Sequence, residues 1–514
     1  MAVDRVASGA VTSGIVRIRG QMSRWRYPHP DLTPEHCTIL QNVNLTERGV
    51  ASSRYGYGKY CSAVLAGPER PVGLWQGMFA SGETRQVVVT PTKIYSATAS
   101  AYTDVTGSAL TGGVDNRVRF AFLKDQLIIC NGVDNLQVWD GVPANAATEL
   151  AGVPWTAVKD VMVHQNLLIA MGTTEAATYN PTRIRWCDIN RQTFTVSITD
   201  WPSANRYETY DGGPAIIGGV DCWGKAMIFK RDGLYPGAIS YDELGHLSFK
   251  LESPRRGFTP VSRDSIIARP EFLLVAAKEG LVVFDENLQM QVVNSGDYTT
   301  WAGLNQGRMQ YCQAFVREED RQVRLLCSSA SNSSGHDRVL VWDWDSGDTW
   351  LDTSGDALSY GQSFKDSNTE YDWLGTVEGY TELGNSATYS TDDGTQIPWR
   401  IRMSPNDLGM PGKLKHVLNI RTLYRYRTGS GTITMRVHLD DGIFTPVNGT
   451  LTTSAPYQWE DGTTWNSGVE WPTSGVYYKD LWVNRICHTV APEWLSSYPA
   501  NLEGYIVEYI PLEG

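Results

Sequence analysis

At 514 residues the chain is too long for a single core and is expected to divide into two or three domains. Charged residues make up only 19% against 49 Gly, 25 Tyr and 18 Trp, a balance that favours strands joined by tight turns over surface helices and predicts an all-β protein. A net charge of -12 excludes a general DNA-binding surface, and the absence of any run of about 18 apolar residues excludes a transmembrane helix.

The first 60 residues read as an irregular N-terminal arm. The start lacks a basic stretch followed by an apolar run, so no secretory signal is expected. Nine Lys or Arg stand against five acids through residue 70, and Arg17, Arg19, Arg24 and Arg26 cluster just before two prolines that forbid a helix. They are candidates for docking on an acidic partner, such as an adaptor or a neighbouring subunit, or on nearby DNA, with a solvated arm as the bland alternative.

From about 61 to 360 a short apolar run recurs six times: 87–89, 127–129, 167–169, 226–229, 272–275 and 323–326. Each is followed by a strand carrying an aromatic, such as Tyr95, Trp139, Trp186, Tyr235, Phe284 or Trp342. The first three runs start 40 residues apart, and the later spacings of 59, 46 and 51 fit the same unit with insertions. Repeats near this length with several strands each predict a six-bladed β-propeller, give or take one blade. Asn-Gly and Asp-Gly pairs in the copy at 117–141 supply the positive φ that its turns need.

Residues 361–514 lose the repeat and gain Trp373, Trp399, Trp459, Trp465, Trp471, Trp482 and Trp494. Short strands between Gly, Pro and Asn turns predict a jelly-roll-like β-sandwich, either a second domain or an insertion whose last strand returns to the propeller. In 416–429 strand alternation sets Ile420, Thr422, Tyr424 and Tyr426 on one face. Arg421, Arg425 and Arg427 fall on the other, a candidate basic stripe at a subunit contact or channel.

Residues 343–350 nearly match the Asp box of sialidases, S-x-D-x-G-x-T-W, differing at the first position. That motif is a hairpin device, so Asp345, Gly347 and Trp350 are assigned a structural turn and no catalysis. Asp392-Asp393-Gly394 lacks the later acids of a calcium loop. The eight histidines show no zinc spacing, and the eight cysteines, with no CxxC pair, read as unpaired structural thiols. No metal, cofactor or catalytic residue is expected.

One stretch has a family likeness. NVNLTERGVASSRYGY, residues 42–57, resembles the N-terminal signature of tail nozzle and DNA-stabilisation proteins of short-tailed bacteriophages, and residues 183–194 and 392–444 are similar to segments found there. The resemblance implies a structural virion protein, assembled in the host cytoplasm, whose homohexameric ring lies beneath the portal and adaptor rings. It would contact tail fibres or spikes and pass double-stranded DNA through its channel. Six copies at -12 would place about -72 on such a ring, enough for an acidic wall to let a duplex slide. Two other readings are a receptor- or glycan-binding tail component, from the Trp-rich sandwich, and a propeller glycosidase.

Overall fold

The computed structural model describes residues 15–16, 37–47, 50–65, 69–190, 195–209, 214–241, 247–293, 298–384, 388–426, 431–440, 447–453 and 477–512. The chain divides into two compact units, 58–339 with 356–384, and 1–57 with 340–355 and 385–514. Among the described residues, nearly all regular structure is strand.

The first unit is a β-propeller. Its opening sheet is Gly73–Met78, Thr84–Val89, Ile94–Ala97 and Tyr102–Asp104, each strand antiparallel to the last. The four sheets that follow begin at Arg119, Ala157, Ile216 and Ile267, and a sixth begins at Gln313. In all six the apolar run of the sequence is the second strand and the aromatic lies on the third. The physical cause is placement: a second strand has a neighbouring sheet on each face. Val87, Val88, Val89, Leu168, Ile169, Ile228 and Leu274 are accordingly wholly buried.

Six aliphatic repeats thus build six sheets, and the structure adds a seventh meander that carries no such run. It comprises the 356–366 part of the strand Thr349–Asp366, then Thr369–Thr376 and Thr381–Gly384. Its second strand, TEYDWLGT, fills the same place with Trp373 and Leu374. The ring closes there. Tyr60 and Leu65 donate backbone N–H groups to Thr381 and Gly379, so the segment preceding the first sheet flanks the last. Leu74, Val88 and Tyr95 of the first sheet share a core with Tyr360, Phe364 and Trp373 of the seventh. Gln313 exchanges two hydrogen bonds with Gly361 on the other side, at 2.6 and 2.8 Å. Residues 361–384 therefore belong to the propeller, and the expected boundary at 360 moves.

The second unit is a β-sandwich assembled from three stretches of chain. One sheet runs Val43–Glu47, Val50–Ser53, Ala500–Pro511, Lys415–Tyr426, Tyr477–Cys487. The other includes Cys37–Gln41, Trp399–Met403, Val490–Ser496, Gly431–Leu439 and Val447–Thr453 in that order. Trp494 joins the layers: its indole N–H donates to Thr422 at 3.0 Å and its ring lies 5.3 Å from that of Tyr505. Of the first 60 residues, read as an irregular arm, Cys37–Gln41, Val43–Glu47 and Val50–Ser53 are instead strands of these two sheets. The last strand, Ala500–Pro511, stays within the sandwich, pairing with Lys415–Tyr426. All eight cysteines are buried as thiols.

Candidate functional site

A cluster of charged side chains lies where the inner strands of successive sheets begin. There a cavity of about 410 Å3 is lined by Arg117, Lys159, Arg231 and Arg263 and by the carboxylates of Asp115 and Asp264. The fold brings them together because residues just before an inner strand (Arg117, Arg263) and on second-to-third-strand turns (Arg231) share one end of a propeller. Lys159 reaches the same place from within an inner strand, Ala157–His164.

Arg263 is the organiser. It donates to the backbone carbonyls of Lys159, at 2.6 Å, and of Arg117, and to Asp264 at 3.2 Å. These bonds tie together the starts of three inner strands. Asp160 is wholly buried beside it, accepting from the Gly219 amide at 2.9 Å with Arg119 at 3.5 Å. Burial pushes that carboxyl up, against the pull of Arg119 and Arg263. Gly218 is required here, since a Cβ would come within 2.7 Å of both the Arg263 side chain and the Asp160 carboxylate. Gly218→Ala is expected to lower the propeller's thermal midpoint by several degrees, measured by calorimetry against Gly307→Ala, where a Cβ would make only an ordinary contact with the Asn305 side chain at 3.4 Å.

Arg117 is different. Only 2% exposed, it contacts His336 through Nη2 at 3.3 Å, yet its Nε and Nη1 meet no hydrogen-bond partner among the described residues. Burial, opposed by Asp264 and reinforced by Arg70, lowers its pKa to about 10. The same burial, with Arg117 and Arg308 nearby, holds His336 well below the ordinary histidine value. Of the two lining carboxylates, Asp115 is engaged by Arg70 and Arg308 at 3.5 and 3.3 Å, and Asp264 by Arg263. Burial and Arg263 depress the Lys159 ammonium too. None of these residues was singled out from the sequence: the basic ones run from position 117 to position 263 and only ring closure gathers them.

The residues that were singled out have other roles. Arg17, Arg19, Arg24, Arg26, Arg427 and the side chain of Arg425 lie outside the described residues. Arg421 has the expected orientation, with Ile420, Thr422 and Tyr424 buried opposite, but it forms a two-bond pair with Asp480 across the sheet, at 2.7 and 3.0 Å. At that position the basic stripe is neutralised. In the Asp-box-like turn Gly347 has φ +78° and Trp350 is buried. The capping carboxylate, however, is Asp343, which accepts from the amides of Asp345 and Ser346 at 2.9 and 3.1 Å. Asp345 presents an amide to that cap, because the hairpin begins at the first box position rather than the third. Of the tryptophans on which a glycan surface was based, Trp373, Trp399 and Trp494 are buried, Trp459, Trp465 and Trp471 are outside the described residues, and Trp482 is 70% exposed.

The stretch 42–57 is a structural node. Arg54 grips Asp392 with two nitrogens, one at 2.8 Å, and also donates to Thr353 O at 2.6 Å and Asn42 Oδ1 at 3.2 Å. Asn42 in turn accepts from the Thr353 amide at 2.6 Å. Gly56 passes so close to Thr391 that a Cβ would sit 2.0 Å from its carbonyl oxygen. Farther on, Arg183 and Arg185 converge on Glu175 at 2.8 and 2.7 Å. Burial would raise the Glu175 carboxyl, but bonds from Arg185 and Thr173 and both guanidinium charges bring it to about 2.

No known protein family matches the chain, and no curated protein matches it. Among solved structures it is similar to a chain of a crystal structure of BBS1N in complex with ARL6DN, soaked with lead, at 11% identity and a TM-score of 0.38, over 65% of this chain and 96% of that one. A likeness of that size carries no functional argument.

Proposed function

We propose that this chain is a non-catalytic structural subunit of the tail nozzle of a short-tailed bacteriophage. In this reading a closed ring of copies, six by the resemblance, extends the portal and adaptor channel, retains packaged double-stranded DNA and conducts it at ejection. The observation that carries the reading is the Arg54–Asp392 node. Two of the three segments with the nozzle likeness, 42–57 and 392–444, are distant in sequence and are joined by that buried pair. What supports the reading is that the sandwich brings residues of these two segments together.

A second feature suits assembly. Tyr477–Cys487 is the edge strand of its sheet among the described residues, and it exposes Trp482 at 70% and Ile486 at 52%. Exposed Trp on an apolar patch is the usual anchor of a protein interface. Images of the purified protein should show a six-fold ring with an axial hole, and Trp482→Glu should shift its mass towards the single subunit. A wild-type protein that is monomeric at every concentration tested overturns the reading; a trimer favours the receptor-binding alternative. The Arg17, Arg19, Arg24 and Arg26 cluster is the proposed adaptor contact. Replacing all four with Glu should abolish tail attachment in assembled particles, and normal tails would remove that assignment.

A further inference from the structure

We propose that the cavity at the inner-strand ends of the propeller is a binding site for a small phosphorylated molecule, its phosphate group held by Arg117, Lys159 and Arg231. Four cations line the cavity against two carboxylates, and both carboxylates are already committed to Arg263, Arg70 and Arg308. Arg117, Lys159 and Arg231 form no ion pair among the described residues. A guanidinium that is 2% exposed, with two nitrogens lacking an acceptor among the described residues, is a costly arrangement, because burial removes its hydration without compensation. A bound anion supplies the missing acceptors and the missing charge.

The geometry selects the class of anion. The three cations come from three successive sheets, ahead of the strand Arg119–Leu123, within Ala157–His164, and after Lys225–Lys230. They approach one space from different directions. A planar carboxylate satisfies one such donor set, whereas a tetrahedral phosphate offers oxygens to all three, and its double charge matches the excess of two. Gly132, with φ +80°, leaves room beside the cations: a Cβ there would lie 3.6 Å from Lys159 Nζ and 3.5 Å from Arg263 Nη1.

A free phosphate fills only part of about 410 Å3, and the rest of the wall includes Tyr179, Tyr311, Ile216 and Val261. Aromatic and aliphatic side chains beside a phosphate clamp suit a ligand with a flat or apolar body. A DNA duplex is far too broad to enter a cavity of this size, so the site is separate from any channel function and stands or falls independently of it.

Calorimetric titration of the full chain in chloride buffer tests this, with inorganic phosphate, adenosine 5′-monophosphate, adenosine and a short DNA duplex as probes. Inorganic phosphate should bind at one site per chain, adenosine 5′-monophosphate more tightly, and adenosine not measurably. Lys159→Ala and Arg231→Ala should each weaken phosphate by about tenfold, the loss of one charge-assisted bond, with the unfolding midpoint unchanged because neither ammonium nor guanidinium holds the fold. Arg117→Met should abolish binding; because Arg117 is buried, the two cavity-facing variants keep the test valid if it fails to fold. The proposal is overturned if phosphate gives no saturable binding, or if the Lys159→Ala/Arg231→Ala double variant binds it as the wild type does. Duplex DNA displacing adenosine 5′-monophosphate would overturn the small-molecule class.

Discussion

Arg54→Ala is expected to destabilise the sandwich unit by about 3–5 kcal/mol, the range for removing one partner of a buried pair. The Arg54 and Asp392 side chains are only 9% and 3% exposed, so the carboxylate left behind cannot be rescued by water. The damage extends beyond one bond. Arg54 also holds Thr353 O and Asn42, and Asp392 accepts from the Gly355 amide at 3.1 Å, so three stretches of chain lose a common anchor. Hydrogen exchange should show it. Amides of 37–41 and 349–355 should exchange about two to three and a half orders of magnitude faster, while those of 84–89 in the propeller stay protected. Arg54→Ala/Asp392→Ala should recover part of the loss, since no lone charge remains. Unchanged protection in the single variant would show that the node is dispensable.

The second large effect is acid sensitivity in the same unit. Glu493 is completely buried on the strand Val490–Ser496, bonded to His438 Nε2 at 2.8 Å and to Arg400. Burial would raise its carboxyl, but the bonds from His438 and Arg400 and their charges hold it at about 2 against an ordinary 4.5. The sign follows: the unfolded chain binds this proton more readily than the folded one. The stabilisation is therefore complete above pH 4.5 and is lost as pH falls towards 2. A carboxyl displaced that far contributes roughly 3 kcal/mol. Urea midpoints measured from pH 6 down to 2.5 should fall below 4.5 in the wild type, and Glu493→Gln should start lower and flatten that part of the curve. Glu175, also held at about 2, gives the propeller a parallel acid loss that Glu493→Gln leaves intact. An unaltered slope in Glu493→Gln would assign the acid sensitivity elsewhere.

Much of the propeller is legible in the sequence, and the reason is local. A second strand with sheets on both faces must be continuously apolar, so 127–129 or 226–229 announce themselves without any knowledge of their neighbours. The seventh sheet escapes this reading because aromatic Trp373 and Leu374 fill its second strand in a run broken by Asp372 and Gly375. Asp372 is the buried partner of Arg324 on the adjacent sheet, a pairing that no pattern within 369–376 reveals. In the Asp-box-like turn the motif located the hairpin correctly but placed the cap two residues late, since Asp343 and Asp345 both precede the glycine and only backbone register tells them apart.

Alone, the sequence determined that the protein is all-β, where the six repeated sheets lie, that its cysteines are buried thiols and that the end of the chain is a different domain. These properties depend on residues close in sequence, through strand periodicity and turn chemistry. The tertiary structure decided that the strands within 37–53 belong with the C-terminal sheets, that the ring has a further sheet, and that Arg117, Lys159, Arg231 and Arg263 face one cavity. Such features arise from contacts between residues tens to hundreds of positions apart. Their strength comes from burial and from the meeting of charges, neither of which exists until the sheets have closed into a ring and the two layers of the sandwich have met.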